Sequence, residues 1–339
     1  VNMNTMIQSM VSLRPNPELW RSHRQELTDP WVGPGASRHK SMIIDVAHSL
    51  IDQWVDEEKV DFVSQFAQPL PQMVMAKVLG WPIEDLKLLK HFGDGTVKAF
   101  VYGSGHRCIL PTEEVRSQLE VLQEFQAYTN ALIAARRSAP EEDMITFLTT
   151  VEYSPLNRKL TDAEINGIVY AMVIGGLETT QYALAEQAQL VIENHAVWQA
   201  LKADKRKVRA FTEEGMRLRA PTQGLSTRTT SQEEVFQGVA VPKGSFLHMR
   251  WAAANIDPLE WDDPTELKLD RKAGTRHLTF SQGARVCPGA SLSRLEQVEA
   301  WNALIDRIDH FEYAQDNTFT HQPGIMLGIT KLNLAFKKQ

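Results

Sequence analysis

Phe280-Ser281-Gln282-Gly283-Ala284-Arg285-Val286-Cys287-Pro288-Gly289 decides how this chain is read, because it carries one of only two cysteines among 339 residues. Gly283 suits a turn that a side chain would hinder, and Gly289 lets another group approach the backbone closely. Helical apolar spacing follows at once, from Ala290 onward. A helix starting there points unpaired N–H groups and its positive dipole end at the sulfur, which favours the thiolate. A soft anionic sulfur so placed suits an iron porphyrin, toward which it pushes electron density. The plainer reading is a buried structural thiol, and Cys108 fits that reading better. Zinc is a poor match, since no Cys or His stands at ligand spacing from Cys287.

Upstream, Thr161-Asp162-Ala163-Glu164 has the capping-box pattern that starts a helix at Thr161. From Ile165 to Ile192 the only charged residues are Glu178 and Glu186, so one long helix, 161–193, should cross the middle of the molecule. It contains Ile174-Gly175-Gly176-Leu177-Glu178-Thr179-Thr180. Two glycines in a helix interior cost about 1 kcal/mol each relative to alanine, so they call for a reason. Either they admit a flat cofactor or a diatomic ligand to the backbone, or they let two helices pack closely. A threonine hydroxyl beside them can loosen the local hydrogen-bond ladder. An acid next to that hydroxyl can relay protons.

Segments 38–57 and 113–137 also carry helical spacing, with breaks near Gly33-Pro34-Gly35, Pro69-Leu70-Pro71, Pro111 and Ser154-Pro155. After Pro221 the character changes. Val235–Val241, Pro242-Lys243-Gly244 and Ser245–Met249 read as a β-hairpin with a Pro-x-Gly turn. Helix returns from Ala290 to Ile308, and short extended segments close the chain. The expected architecture is mainly α, of α+β type: a single domain over 1–339, helix-rich at 16–220 and β-rich with the cysteine loop at 221–339.

The chain is 43% hydrophobic and 23% charged, enough to bury a large core. Its 36 basic and 42 acidic side chains give a net charge of -6, which argues against a nucleic-acid binder. Two distant cysteines make no disulfide framework, and a reducing cytoplasm is the expected compartment. No apolar run is long enough to span a bilayer, and Val1–Met10 does not read as a signal peptide.

The cysteine stretch resembles the haem-binding loop of the cytochrome P450 family, Phe-x-x-Gly-x-Arg/His-x-Cys-x-Gly, at every fixed position. The resemblance implies a large helical part and a smaller sheet part around haem b, with Cys287 as axial iron ligand and Phe280, Arg285 and Gly289 beside the cofactor. Ser281 stands where glycine is frequent, a departure expected to be benign. Gly175-Gly176-Leu177-Glu178-Thr179-Thr180 resembles the family's oxygen-activation motif. By that match Glu178 and Thr179 would deliver protons during oxygen activation, and Gly175 would leave room beside the cofactor. Trp20-Arg21-Ser22-His23-Arg24 resembles the Trp/His-x-x-x-Arg element, implying propionate contacts by Trp20 and Arg24; Arg228 matches a further propionate arginine. Glu214-Gly215-Met216-Arg217 resembles a buried Glu-x-x-Arg pair that locks the core. As an exposed pair it would contribute only about 0.3–0.5 kcal/mol.

By position in the family, Met172, Gly176 and Leu177, then Gln223 and Leu225 within 222–225, and Met326 within 325–327 would line the substrate pocket. Plain core packing competes for each of them. The implied activity is monooxygenation of a small organic substrate by O2, a hydroxylation or an oxidative O-dealkylation. Electrons would come from NAD(P)H through a reductase and a ferredoxin, the latter docking on Lys268, Arg271, Lys272, Arg276 and Arg294. A peroxide-using or NO-reducing relative, and a truncated haem-binding protein without catalysis, are the competing readings. The protein is expected to be monomeric. In soluble family members the propionate-binding helix lies well inside the chain; here it starts almost at residue 1, so the earlier sheet, helices and substrate loop are expected to be missing.

Overall fold

Thr161 caps its helix as its sequence requires: its hydroxyl accepts from Glu164 N at 3.3 Å, and Glu164 Oε2 accepts from Thr161 N at 2.8 Å. In the computed structural model, which describes residues 17–103, 112–224, 227–271, 276–318, 320–321 and 326–339, the α-helices run in chain order. They are α1 (Pro17–Ser22), α2 (Lys40–Ile51), α3 (Pro69–Leu79), α4 (Leu86–Gly103), α5 (Thr112–Ser138), α6 (Met144–Thr150), α7 (Asp162–Gly176), α8 (Glu178–Glu193), α9 (His195–Ala203), α10 (Val208–Leu218), α11 (Trp251–Ala254) and α12 (Ala290–Arg307). One continuous hydrophobic core joins α2 to α10, α12 and the three-stranded sheet.

The long helix expected over 161–193 is two helices. α7 ends at Gly176, Leu177 has φ -90° and ψ -68°, and α8 starts at Glu178. The cause is local. Thr179 Oγ1 donates to Gly175 O at 2.6 Å, the carbonyl that the regular ladder would give to the amide of residue 179. The glycines supply no side chains to stiffen that turn.

Around Trp301 on α12 the core is aromatic. Phe211, Trp198 and Phe62 lie 5.2, 6.3 and 6.4 Å from it, ring centre to ring centre. Trp301 Nε1 donates to Gln187 Oε1 at 2.7 Å, and Gln187 Nε2 donates to Gln297 Oε1 at 2.6 Å. Gln297 Nε2 reaches Ser293 Oγ at 3.0 Å, and Ser293 Oγ meets Thr180 Oγ1 at 3.0 Å. This buried polar chain sets the register of α8 against α12, so it fixes the Gly175–Thr180 break relative to the helix after Cys287.

Strands are short. An antiparallel sheet sets Asn333–Lys338 between Lys59–Asp61 and Ile308–Tyr313. The expected hairpin is paired differently. Glu234–Phe236 pairs with Val239–Val241 across Gln237-Gly238, both at positive φ (47° and 83°), the conformation that two-residue hairpins need. Phe246–His248 pairs instead with Thr227–Thr229, and Pro242-Lys243-Gly244 is the turn that carries the chain across. Pro69 opens α3 rather than breaking a helix, because the first helical position needs no N–H partner. α2 ends at Ile51, short of the 38–57 spacing, and α12 gives way to strand at Ile308. Pro111 and Cys108 lie outside the described residues. Among the described residues, His23–Thr28 and Val63–Ala67 are π-helical turns, and no helix is long and apolar enough to cross a membrane.

Trp301→Ala should destabilise the fold by about 3–5 kcal/mol, since it removes a fully buried indole and strands Gln187. Urea unfolding followed by circular dichroism measures the loss.

Candidate functional site

Arg217 on α10 is where the site begins. Its guanidinium has five N–H donors. Nε and Nη2 grip Glu214 Oε1 and Oε2 at 2.7 and 3.0 Å; Nη1 reaches Asn255 O and Pro264 O at 2.9 and 2.6 Å; Nη2 also reaches Glu266 O at 3.0 Å. The two side chains are 0% and 1% exposed, so this is a buried pair and not a surface bridge. Arg271 joins it, donating to Glu214 Oε1 at 3.0 Å, and Trp261 lies against both guanidinium groups.

From this cluster the chain is handed on to the cysteine loop. Asn255 Nδ2 donates to Thr279 Oγ1 at 2.9 Å, Asn255 Oδ1 accepts from Leu278 N at 2.6 Å, and Thr279 Oγ1 donates to Met216 O at 2.7 Å. Ser281 then turns at φ 61° and Gly283 at φ 78°. The serine expected to be benign therefore occupies a left-handed conformation that glycine adopts without strain. Cys287 N donates to Phe280 O at 2.8 Å and closes the loop. Arg294 covers the Phe280 ring at 4.5 Å while its Nε donates to Glu213 Oε1 at 2.6 Å. Burial would raise the Glu213 carboxyl, but hydrogen bonds from His277 and Arg294 outweigh it and hold it below the ordinary range.

Gly289 caps α12, and its N–H and that of Ala290 favour the Cys287 thiolate, as do Arg24 and Arg294. Burial is the larger effect and pushes the thiol up from its ordinary value. Helix polarity alone therefore does not ionise this sulfur; a coordinated cation would.

The N-terminal helix reaches the loop across more than 260 residues of sequence. Trp20 Nε1 donates to Ala284 O, and Arg24 Nη1 donates to Val286 O at 2.5 Å. Arg285 lies over the Trp20 ring at 4.5 Å. The indole N–H expected at a propionate is thus committed to the loop itself. His23, which no motif position singles out, is 5% exposed, and neither ring nitrogen has a partner among the described residues. Arg228 lies in the strand Thr227–Thr229, opposite Leu247.

On the second element, Gly175 has no heavy atom within 4 Å of where a Cβ would stand, whereas a Cβ on Gly176 would meet Met75 Cε at 2.3 Å. The two glycines therefore divide the two readings: one opens space and the other lets α3 pack against α7. Glu178 is half-buried, and burial, reinforced by Asp94 and opposed by Lys90, pushes its carboxyl up to about 7. Met172 and Leu177 belong to the hydrophobic core. Two of the remaining segments expected to line a pocket do meet: Thr222 bridges Met326, Leu327 N donates to Pro221 O at 2.9 Å, and Gln223 Nε2 turns back to Ala220 O at 2.8 Å. Leu225 and Ile325 lie outside the described residues.

The expected docking charges are otherwise engaged. Arg271 serves Glu214, Arg294 serves Glu213, Lys268 pairs with Asp263 and Arg276 with Glu260. Lys272 lies outside the described residues. Side chains this close to carboxylates pair locally before they present charge to a partner, which sequence spacing does not reveal.

These residues fit a haem: a free sulfur at a helix N-terminus, a glycine with open space, and guanidinium groups beside the cysteine loop. Among the described residues no three His, Cys, Asp or Glu side chains converge as metal ligands, so a multi-ligand metal site has no place there. The family model described as Cytochrome P450 matches residues 4–336. The chain belongs to the cytochrome P450 family. Its cofactor is therefore haem b, and it is a monooxygenase-class oxidoreductase. It is 28% identical over 301 residues to the polyketide biosynthesis cytochrome P450 PksS of Bacillus subtilis, covering 88% of this chain and 71% of that protein. It is 26% identical over 308 residues to the biotin biosynthesis cytochrome P450 of the same organism, covering 91% and 75%. A solved structure of P450BioI with a hexadec-9Z-enoic acid-ligated acyl carrier protein superposes at TM-score 0.86 and 25% identity, covering 97% of this chain and 82% of that one.

Two measurements test this geometry. Arg217→Leu leaves Glu214 buried without its main partner and should cost about 3–5 kcal/mol in urea unfolding. The raised Glu178 carboxyl favours the fold while protonated. Its contribution is full below its ordinary value of 4.5 and is lost as pH rises through about 7. Glu178→Gln should therefore lose less stability than the native protein between those two values; identical pH profiles would contradict the burial of this carboxyl.

Proposed function

We propose that this P450 holds haem b through the Cys287 thiolate and inserts one oxygen atom from O2 into a small, moderately hydrophobic organic molecule. The product is an alcohol or, where the attacked carbon bears oxygen, a dealkylated ether. The observation that carries this reading is the interrupted helix, where an acid with a carboxyl raised to about 7 adjoins a threonine whose hydroxyl sits on the Gly175 carbonyl. Bound haem iron supplies the activation of dioxygen.

The side chains divide the remaining work. Cys287, held by the turn from Phe280 to Gly289, would bind the iron through its thiolate. Arg24, Arg228 and Arg285 supply positive charge for the propionates, and Trp20 fixes the loop that presents Arg285. Glu214 and Arg217 support that loop from behind and take no part in chemistry. Gly175 keeps the backbone clear for a diatomic ligand. Glu178 holds a proton near neutrality, where a general acid is most effective, and Thr179 passes it on through its hydroxyl. Met172, Leu177, Leu225 and Met326 form the apolar walls, with Gln223 beside them; Gly176 contributes by letting α3 close on α7.

The relatives' names support a carbon-rich substrate: polyketide and biotin biosynthesis for two, and an acyl-carrier-linked unsaturated fatty acid in the third. Electrons come from NAD(P)H through a ferredoxin reductase and a ferredoxin, and the protein works as a monomer in the cytoplasm.

With haem and carbon monoxide the reduced protein should give the red-shifted Soret band of thiolate ligation, and Cys287→Ala should abolish it. A band that survives the substitution would remove Cys287 as the ligand. Thr179→Ala should keep the band while most reducing equivalents go to peroxide. An unchanged ratio of product to NAD(P)H consumed would sink the relay through Thr179.

A further inference from the structure

We infer that Glu186 on α8 is a positioning residue for substrate: through His321 it sets the hairpin that carries Met326 against Thr222. The inference rests on the haem and pocket-wall reading proposed for this chain. The hairpin joins Thr320–His321 to Ile329–Lys331, with His321 opposite Ile329 and Thr320 opposite Lys331. A two-stranded ribbon this short does not hold a position unaided, so its place comes from the surface beneath it. That surface is α8. A Cβ on Gly328 would stand 2.0 Å from Tyr182 Cγ, so the main chain there lies directly on the Tyr182 ring. Glu186 stands one helical turn further on, on the same face. It is 1% exposed, and His321 Nε2 lies 3.4 Å from its Oε1. Neither carboxyl oxygen completes a hydrogen bond of full geometry among the described residues.

Stability alone does not explain a carboxyl here. An apolar side chain would pack beneath the hairpin, whereas an under-satisfied buried polar group costs about 1–3 kcal/mol. What the carboxyl adds is direction, since apolar contact has none. Burial pushes it up to about 7, opposed by Arg219 and the Ile329 main chain and reinforced by Glu193. Protonated, it can donate to an imidazole nitrogen; ionised, it can accept from an N–H, so the contact with His321 survives on either side of neutrality. The other end of the hairpin meets the segment after α10. Thr222 bridges Met326, with Thr222 Oγ1 3.6 Å from Met326 Sδ, and Leu327 N donates to Pro221 O at 2.9 Å. Because Ile329 pairs with His321 and Gly328 is pressed on Tyr182, a shift at His321 passes along the main chain to Met326.

Two nitrogen ligands of different size separate this part from a merely structural one. Imidazole and 4-phenylimidazole are titrated into the haem-loaded full chain and followed by the Soret shift; the second adds a ring that the pocket walls must accommodate. Glu186→Leu and His321→Leu should each weaken 4-phenylimidazole about tenfold, the effect of one hydrogen bond to a charged group, and leave imidazole at its native affinity. Glu186→Gln, which keeps a donor and an acceptor, should recover most of the loss, and the double Leu variant should be no weaker than either single one. A native ratio of the two affinities in His321→Leu, whose position is half-exposed, overturns the inference even if Glu186→Leu fails to fold. So does a loss shared equally by both ligands, or single effects that multiply in the double variant. Hydrogen exchange across 320–331, followed by mass spectrometry without haem, should quicken in His321→Leu; unchanged exchange removes the anchor. A native protein with no thiolate Soret band rejects the haem reading instead, and the exchange result still decides the anchor.

Discussion

Complete satisfaction of one buried guanidinium is the constraint on which the rest of this structure depends. An ion pair as deep as Glu214–Arg217 is tolerated only if every remaining donor and lone pair finds a partner. Arg217 has more donors than Glu214 can accept, and the surplus reaches main-chain carbonyls of residues 255, 264 and 266. Those carbonyls belong to a stretch with almost no regular secondary structure. Charge accounting therefore does for this segment what a hydrogen-bond ladder does for a helix. Asn255, held at its backbone by Arg217, uses its side chain to seat Leu278 and Thr279, and the cysteine loop begins there.

The features legible in the sequence are those that depend on neighbours along the chain. The loop from Phe280 to Gly289 and the capping box at Thr161 are short, and their residues act on one another directly. The interruption at Leu177 is half legible. The glycines and Thr179 announce a weakened ladder, but the competition between a hydroxyl and an amide for one carbonyl is decided by geometry. Strand pairing is less legible still: Pro-x-Gly is a sound turn signal, yet the next strand finds its partner upstream in Thr227–Thr229. Side-chain charge is the least legible. Arg271 and Arg294 look like surface residues in sequence, and only the fold brings Glu214 and Glu213 beside them.

The same limit explains the N-terminal helix. Trp20 and Arg24, four residues apart, suggest two donors on one face. Three-dimensional context divides their labour differently, because Trp20 meets a carbonyl while the His23 nitrogens meet nothing among the described residues. Glu178 shows the opposite case. Its position in an apolar helix already implies burial, and the structure adds the neighbouring Asp94 that makes ionisation harder still.

The π-helical turn His23–Thr28 has a consequence of its own. Asp29 N donates to Arg24 O at 2.7 Å, five residues back, so this turn contains one residue more than an α turn would hold. That surplus belongs to chain length, not to any particular side chain. Loss of one residue within it would restore regular winding and leave the downstream backbone close to its present orientation relative to α1, because a wide turn spends its extra residue inside the turn. Val32, whose carbonyl accepts from Leu292 N on α12 at 3.2 Å, would keep its place against the helix after Cys287. A deletion here can therefore be absorbed inside the turn, whereas a further insertion would alter the register between the two ends of the chain.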